Sequence, residues 1–145
     1  MGSGMSKINW KDRKADISKW FCVHEAIYLP SWDVYAQPTE EQKVNILELA
    51  QVMDKVREIV NAPIIVGCWL RPVEYNKMIG GAKNSAHLSG KGVDFSVAGK
   101  SCDEVRALLL PHLEELNVRM EDKLGSNWIH LGNDWSEGKT RFFKP

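Results

Sequence analysis

The stretch Ser85-Ala86-His87-Leu88-Ser89-Gly90-Lys91-Gly92-Val93-Asp94 sets an imidazole and a carboxylate seven positions apart, with two glycines between them. Glycine lets the backbone turn sharply, so the two groups can converge from a loop and from the strand that follows it. Further along, 36 positions after Asp94, Trp128-Ile129-His130-Leu131 supplies a second imidazole. Two imidazoles and one carboxylate are the donor set of a catalytic zinc site, where three protein ligands leave the fourth tetrahedral position to water. Zn2+ in such a site lowers the pKa of that water towards ~7 and polarises a carbonyl oxygen. The other reading of the same residues is structural, with His87 capping a loop and His130 packed and hydrogen-bonded. Arg71 offers a planar, permanently charged fork suited to a carboxylate, although a surface arginine beside a helix start would look the same.

These groups need elements to position them. Thr39-x-x-Gln42 is a capping-box pattern. Apolar residues then fall at Val44, Leu47, Ala50, Met53, Val56 and Val60, one buried stripe of a helix that Asn61 and Pro63 stop. Ile64-Ile65-Val66 reads as a β-branched strand, and Arg71-Pro72 opens a short helix with proline in its first turn, closed by Gly80-Gly81. Residues 82–92 form a loop, and Val93 to Val97 a second strand. Ser101-x-x-Glu104 starts another helix, which Pro111 interrupts. Asn117 to Glu121 and Trp128 to Leu131 read as paired strands, and Phe142-Phe143 as a last edge strand. Before all of this, Ile17 to Pro38 reads as a short helix and an irregular aromatic wrap. The expected class is α+β, a small antiparallel sheet with helices packed beside it.

The string RPVEYNKMIGGAKNSAHLSGKGVDFSV followed by WIH resembles the zinc D-Ala-D-Ala carboxypeptidase family, which includes phage endolysin peptidases and D-Ala-D-Ala dipeptidases. The shared pattern is Ser-x-His, then Gly, a small residue, a spacer and Asp, with Trp-x-His later. The likeness spans about Trp20 to Leu131. It implies a hedgehog/DD-peptidase-like fold, Zn2+ held by His87, Asp94 and His130, and hydrolysis of a peptide bond in bacterial peptidoglycan stems. It also assigns Arg71 and Ser85 to substrate, though Ser85 could instead bond its own loop backbone. Close relatives often carry a carboxylate three positions before the last histidine, where this chain has Asn127. The resemblance moves the general base to Glu121, on the strand before the hairpin turn, with Asp122 as the alternative that strand alternation points the other way. The alternative is that Asn127 has replaced the base and catalysis is lost, which leaves a zinc-containing peptidoglycan-binding module. A second departure is Cys68-Trp69-Leu70-Arg71 where the family commonly reads Ser-Gly-Tyr-Arg, which moves the ring beside the arginine to Trp69. Cys68 itself reads as a small core residue.

His24 and His112 have no counterpart in the family and read as structural; Trp10, Trp32 and Trp135 read as core or partial cover. Asp134 reads as a turn residue, with orientation of His130 as its other possible role. The 145 residues fit one domain, residues 6–145, behind a cloning remnant at residues 1–5. With 19 basic and 19 acidic residues, the balanced charge argues against a nucleic-acid partner. Three cysteines without a Cys-x-x-Cys argue against a disulfide scaffold. No apolar run approaches the ~20 residues of a membrane span. Residues 6–16 lack a secretory signal, so synthesis in the cytoplasm is expected, with action on the cell wall in the manner of a phage-type lysin and a monomer as the default state.

Overall fold

A computed structural model of the chain describes residues 8–145; the proposed cloning remnant lies outside them. The elements in order are α1 (Val23–Ile27), β1 (Tyr28–Leu29), β2 (Val34–Tyr35), α2 (Glu40–Val60), β3 (Ile64–Cys68), α3 (Val73–Met78), a 3-10 turn (Ala86–Ser89), β4 (Gly92–Val97), α4 (Cys102–Leu109), a second 3-10 turn (Leu110–His112), α5 (Leu113–Leu116), β5 (Arg119–Glu121), β6 (Ile129–Gly132) and β7 (Phe142–Phe143). The aromatic segment before α2 is thus less irregular than its sequence suggests, since β1 and β2 pair as a small hairpin.

The long helix α2 starts where its cap says it should. Thr39 Oγ1 accepts from the Gln42 amide at 3.2 Å while Gln42 Oε1 accepts from the Thr39 amide at 2.8 Å, so two otherwise unpaired donors are satisfied at once. Its buried stripe includes Ile46, Leu49, Met53 and Val56, but Val44 is 46 % exposed. Val44 lies two residues from Ile46, about 200° around the helix, and so faces away from the sheet. Pro72 proves to be the N-cap of α3 rather than its first helical residue. Pro111 ends α4 as expected, passing the chain through a 3-10 turn into α5.

Five strands form the main sheet in the order β3-β4-β6-β5-β7. The sheet is mixed, which corrects the expectation of a purely antiparallel one. β7 runs parallel to β5, while the other pairs are antiparallel. The cause is topological: β7 takes the edge beyond β5, and both run opposite to β6. Alternation then divides the sheet into two faces. Val93, Phe95, Val97, Met120, Ile129 and Leu131 point to the helices and are at most 4 % exposed. Asp94, Ser96, Glu121 and His130 belong to the opposite, polar face.

One irregularity breaks this alternation. Val66 pairs with Phe95, but Cys68 pairs with Asp94, so Gly67 is an extra residue in β3. A bulge of this kind reverses the side to which later residues point. By parity with Ile64 and Val66, Cys68 would have faced the core; the bulge turns it to the polar face beside Asp94.

Burial makes a simple test of the two faces. Phe95→Ala should cost about 3–5 kcal/mol, whereas Val44→Ala on the outer side of α2 should stay within about 0.5 kcal/mol. Urea denaturation of the two variants against the parent chain measures both.

Candidate metal centre and its cleft

The first histidine sits in the 3-10 turn, and that turn is fastened from three sides. Ser85 Oγ caps it by accepting from the His87 amide at 3.2 Å. From α2, Gln42 Nε2 donates to Leu88 O at 3.0 Å and Asn45 Nδ2 to Ser89 O at 2.9 Å. Trp69 Nε1 donates to Gly90 O at 3.1 Å. Gly90 has φ +81°, and a Cβ there would lie 2.9 Å from Ile46 Cγ1, so only glycine lets the turn come this close to α2. Trp69 is 1 % exposed and stands edge-on to Phe21. It is therefore a core brace for the loop, not the substrate-side ring that the departure before Arg71 suggested.

Asp94 and His130 are brought together by register, as directly paired residues of β4 and β6. His130 Nδ1 lies 2.9 Å from Asp94 Oδ1, and His87 Nε2 lies 3.1 Å from the same oxygen. The ligand atoms of His87, Asp94 and His130 all fall within 4.8 Å of one another. Gly92 makes room for this, because a Cβ there would meet His130 Cε1 at 3.0 Å and the His87 amide nitrogen at 3.1 Å.

Protonation states sharpen the chemistry. His87 Nδ1 lies 2.7 Å from the carbonyl oxygen of Trp69, which can only accept, so Nδ1 carries the proton. Burial pushes His87 below the ordinary imidazole range, against the opposing pull of Asp94. Burial would by itself raise the Asp94 carboxyl, but the hydrogen-bonding rings of His130 and His87 outweigh it and hold the group well below the usual carboxylate range. His87 Nε2 and His130 Nδ1 thus both face Asp94 Oδ1, at 3.1 and 2.9 Å. Two ring nitrogens and a carboxylate oxygen within 4.8 Å of one another are a donor set that a metal ion can take up. Ligands of a tetrahedral zinc are about 3.3 Å apart, close to both observed separations. The donor set fits zinc.

The three residues open into a cleft of about 520 Å³. Arg71 and Ser85 line it, as do Arg119, Glu121, Lys123 and Trp128. Glu121 follows Met120, whose partner on β6 is Leu131, so one further step of the same register sets Glu121 across from His130. Asp122 does not line the cleft; its Oδ2 pairs with Lys144 Nζ at 3.1 Å. Asn127 lines a separate groove with Ser96 and Asp103 and is not among the residues lining this cleft. Asp134 lines the cleft with Oδ2 3.6 Å from Arg119 Nη1. His24 stacks on Tyr28 and His112 contacts Glu115, both away from the cleft. Trp32 packs on Tyr75 and Trp135 under Arg141.

Several cleft residues escape a reading by motif. Arg119 and Lys123 flank Glu121 in a short charged run whose facing depends on β5 alternation. Phe143 closes the far wall, edge-on to the His130 ring at 6.1 Å, and reaches it only through the parallel pairing of β7. Asn76, inside α3 and behind the cleft lining, bonds Arg71 and carries no motif at all.

A turn histidine, a strand histidine and an aspartate converging in a polar cleft define a metallohydrolase type of centre. The family described as Peptidase M15 matches residues 25–131, a span that contains every proposed ligand. The chain belongs to that family, whose members are generally zinc-dependent peptidases. No curated protein matches the chain.

Metal uptake should read out as stability. Zinc at a hundredfold excess over its Kd should raise the unfolding free energy by about 2.7 kcal/mol, visible as a higher melting temperature that a chelator reverses. Gly92→Ala, which crowds the His130 ring and the His87 amide, should shrink that gain. A melting curve of the parent chain indifferent to zinc would count against the site.

Proposed function

We propose that this protein is a zinc peptidase that hydrolyses a peptide bond in bacterial peptidoglycan stem peptides, as a D,D-carboxypeptidase or an endopeptidase, in the manner of a phage lysin acting on the cell wall. The observation that carries the reading is the meeting of His87, Asp94 and His130 in one cleft with Glu121, in a chain of the Peptidase M15 family. In this reading residues 6–145 are one peptidase domain of hedgehog/DD-peptidase-like architecture.

His87, Asp94 and His130 would hold the zinc. When bound, the ion supplies Lewis acidity towards the scissile carbonyl and eases ionisation of water near neutral pH. The remaining work belongs to the chain. A carboxylate oxygen of Glu121 takes a proton from the attacking water and returns it to the nitrogen of the leaving amine, which balances the hydrolysis. Arg71 and Ser85 orient the substrate from the opposite wall, Arg71 through the guanidinium hydrogens that its protein contacts leave over. Lys123 and Arg119 add positive charge on the Glu121 side, suited to the carboxylates of a stem peptide.

The rival reading, a peptidoglycan-binding module that has lost its base, rests on Asn127. That residue lies outside the cleft, while Glu121 lines it, which favours the enzyme.

The test is release of amines from purified peptidoglycan, with and without chelator. The parent chain should release them only without chelator. Glu121→Gln should lower kcat by about 10²–10⁴-fold, the range for loss of a general base, with zinc content unchanged. Asp122→Asn should stay near the parent rate. No release by the parent chain under either condition would remove the peptidase reading.

A further inference from the structure

The guanidinium of Arg71 is more occupied than a substrate clamp needs to be. Nε lies 3.3 Å from Cys68 Sγ, Nη1 donates to Asn76 Oδ1 at 3.2 Å, and Nη2 donates to Asp94 Oδ2 at 3.1 Å. The last contact is an ion pair whose two side chains are 12 % and 15 % exposed. Asp94 therefore has its oxygens divided: Oδ1 faces His87 and His130, and Oδ2 faces Arg71.

We propose that Arg71 is a positioning residue for the metal centre, gripping the outer oxygen of Asp94 so that only the inner one is presented between the two histidines. The inference rests on the zinc-binding part of the function proposed above and is independent of which bond is cut.

The support for the grip is built in layers. Asn76 is 3 % exposed, and its Nδ2 donates to Ala82 O at 2.9 Å. Its amide is thereby fixed with the oxygen towards Arg71, because a flipped amide would lose both bonds. Gly81 supplies the space: a Cβ there would fall 2.0 Å from Asn76 Oδ1 and 3.0 Å from Arg71 Nη1. Cys68 reaches Nε only because the Gly67 bulge turns it to the polar face. The main chain joins in as well, since the Arg71 amide donates to His87 O at 3.0 Å. One residue therefore ties down the aspartate through its side chain and the first histidine through its backbone.

A carboxylate on a short side chain can rotate about χ2, and a rotated Asp94 would offer a metal both oxygens or neither. A charge-assisted hydrogen bond from Arg71 Nη2 to one oxygen restrains that freedom. Partners of this kind, which touch a ligand and not the metal, commonly set metal affinity within a range of 10–100-fold. Three of the five N–H groups of the guanidinium are used in this way, and one on each Nη is left over for the cleft. Holding the aspartate and meeting substrate are thus compatible in one side chain.

The decisive measurement is zinc affinity of the apo chain by competition with a chromophoric chelator, with no peptidoglycan present. Two variants probe the grip. Arg71→Lys keeps a positive charge in the cleft and removes the three-way fork. Gly81→Ala alters no charge and no ligand, and displaces Asn76. Each should weaken zinc binding about 10–100-fold, with the melting temperature of the apo form monitoring the fold. Parent-like zinc affinity in both variants overturns the proposal, and a raised KM alongside that result would confine Arg71 to substrate binding. Should Gly81→Ala fail to fold, Arg71→Lys decides alone. A parent chain that binds zinc tightly and releases no amines from peptidoglycan refutes the peptidase reading and leaves this one standing. A parent chain that binds no zinc overturns both.

Discussion

Two ring nitrogens meet one carboxylate oxygen at Asp94 Oδ1, and the rest of the molecule can be understood as what makes that meeting tolerable. A buried carboxylate is costly unless its lone pairs are taken up, and here none of the partners is close in sequence. His130 arrives by strand register, His87 by a turn strapped to α2, and Arg71 by way of a bulged strand. Removing any one of these would leave a charge or a lone pair poorly matched in a partly dry site. The capacity to hold a cation is the same fact seen from outside, since the three ligand atoms lie within 4.8 Å of one another.

The division of the sheet into two faces provides this at small cost. One face is uniformly apolar and packs on α2 and α4. The other is free to carry charge because nothing in the core depends on it. Missing side chains contribute as much as those present. Gly92 and Gly132 face each other across β4 and β6, next to the Asp94–His130 pair, and leave a gap that the His130 ring and the His87 turn occupy. A Cβ on Gly132 would come 2.4 Å from Asp134 Oδ1, so the same row also admits the turn after β6.

Much of this was legible from residue order, for physical reasons that vary by element. Capping chemistry is local, so the start of α2 at Thr39 and of α4 at Ser101 could be read directly. The His87-Asp94-His130 group was legible because a strand that follows a glycine-rich turn leaves few ways to arrange those donors, and because the family pattern coincides with it. Contacts that depend on sheet order were not legible. The parallel edge made by β7 brings Phe143 to the cleft, and no local signal distinguishes it from an antiparallel edge. Val44 was misread because a spacing of three fits two overlapping helical stripes, and only packing selects between them. Trp69 was misread because an aromatic before an arginine says nothing about which side of the chain it faces. Asn76 had no signal beyond being a polar residue on a short helix.

Gly67 did leave a trace, a lone glycine inside an otherwise β-branched strand, and its importance lies in counting. Every residue from Cys68 to Arg71 owes its facing to one added unit of backbone. The distance along the chain from Ile64 to Arg71 is therefore a phase as well as a length. A chain shorter by that unit would keep its hydrophobic composition and its capping signals, yet would present the arginine on the wrong side of the sheet. Insertions and deletions in β3 would disturb this centre while leaving His87, Asp94 and His130 in place.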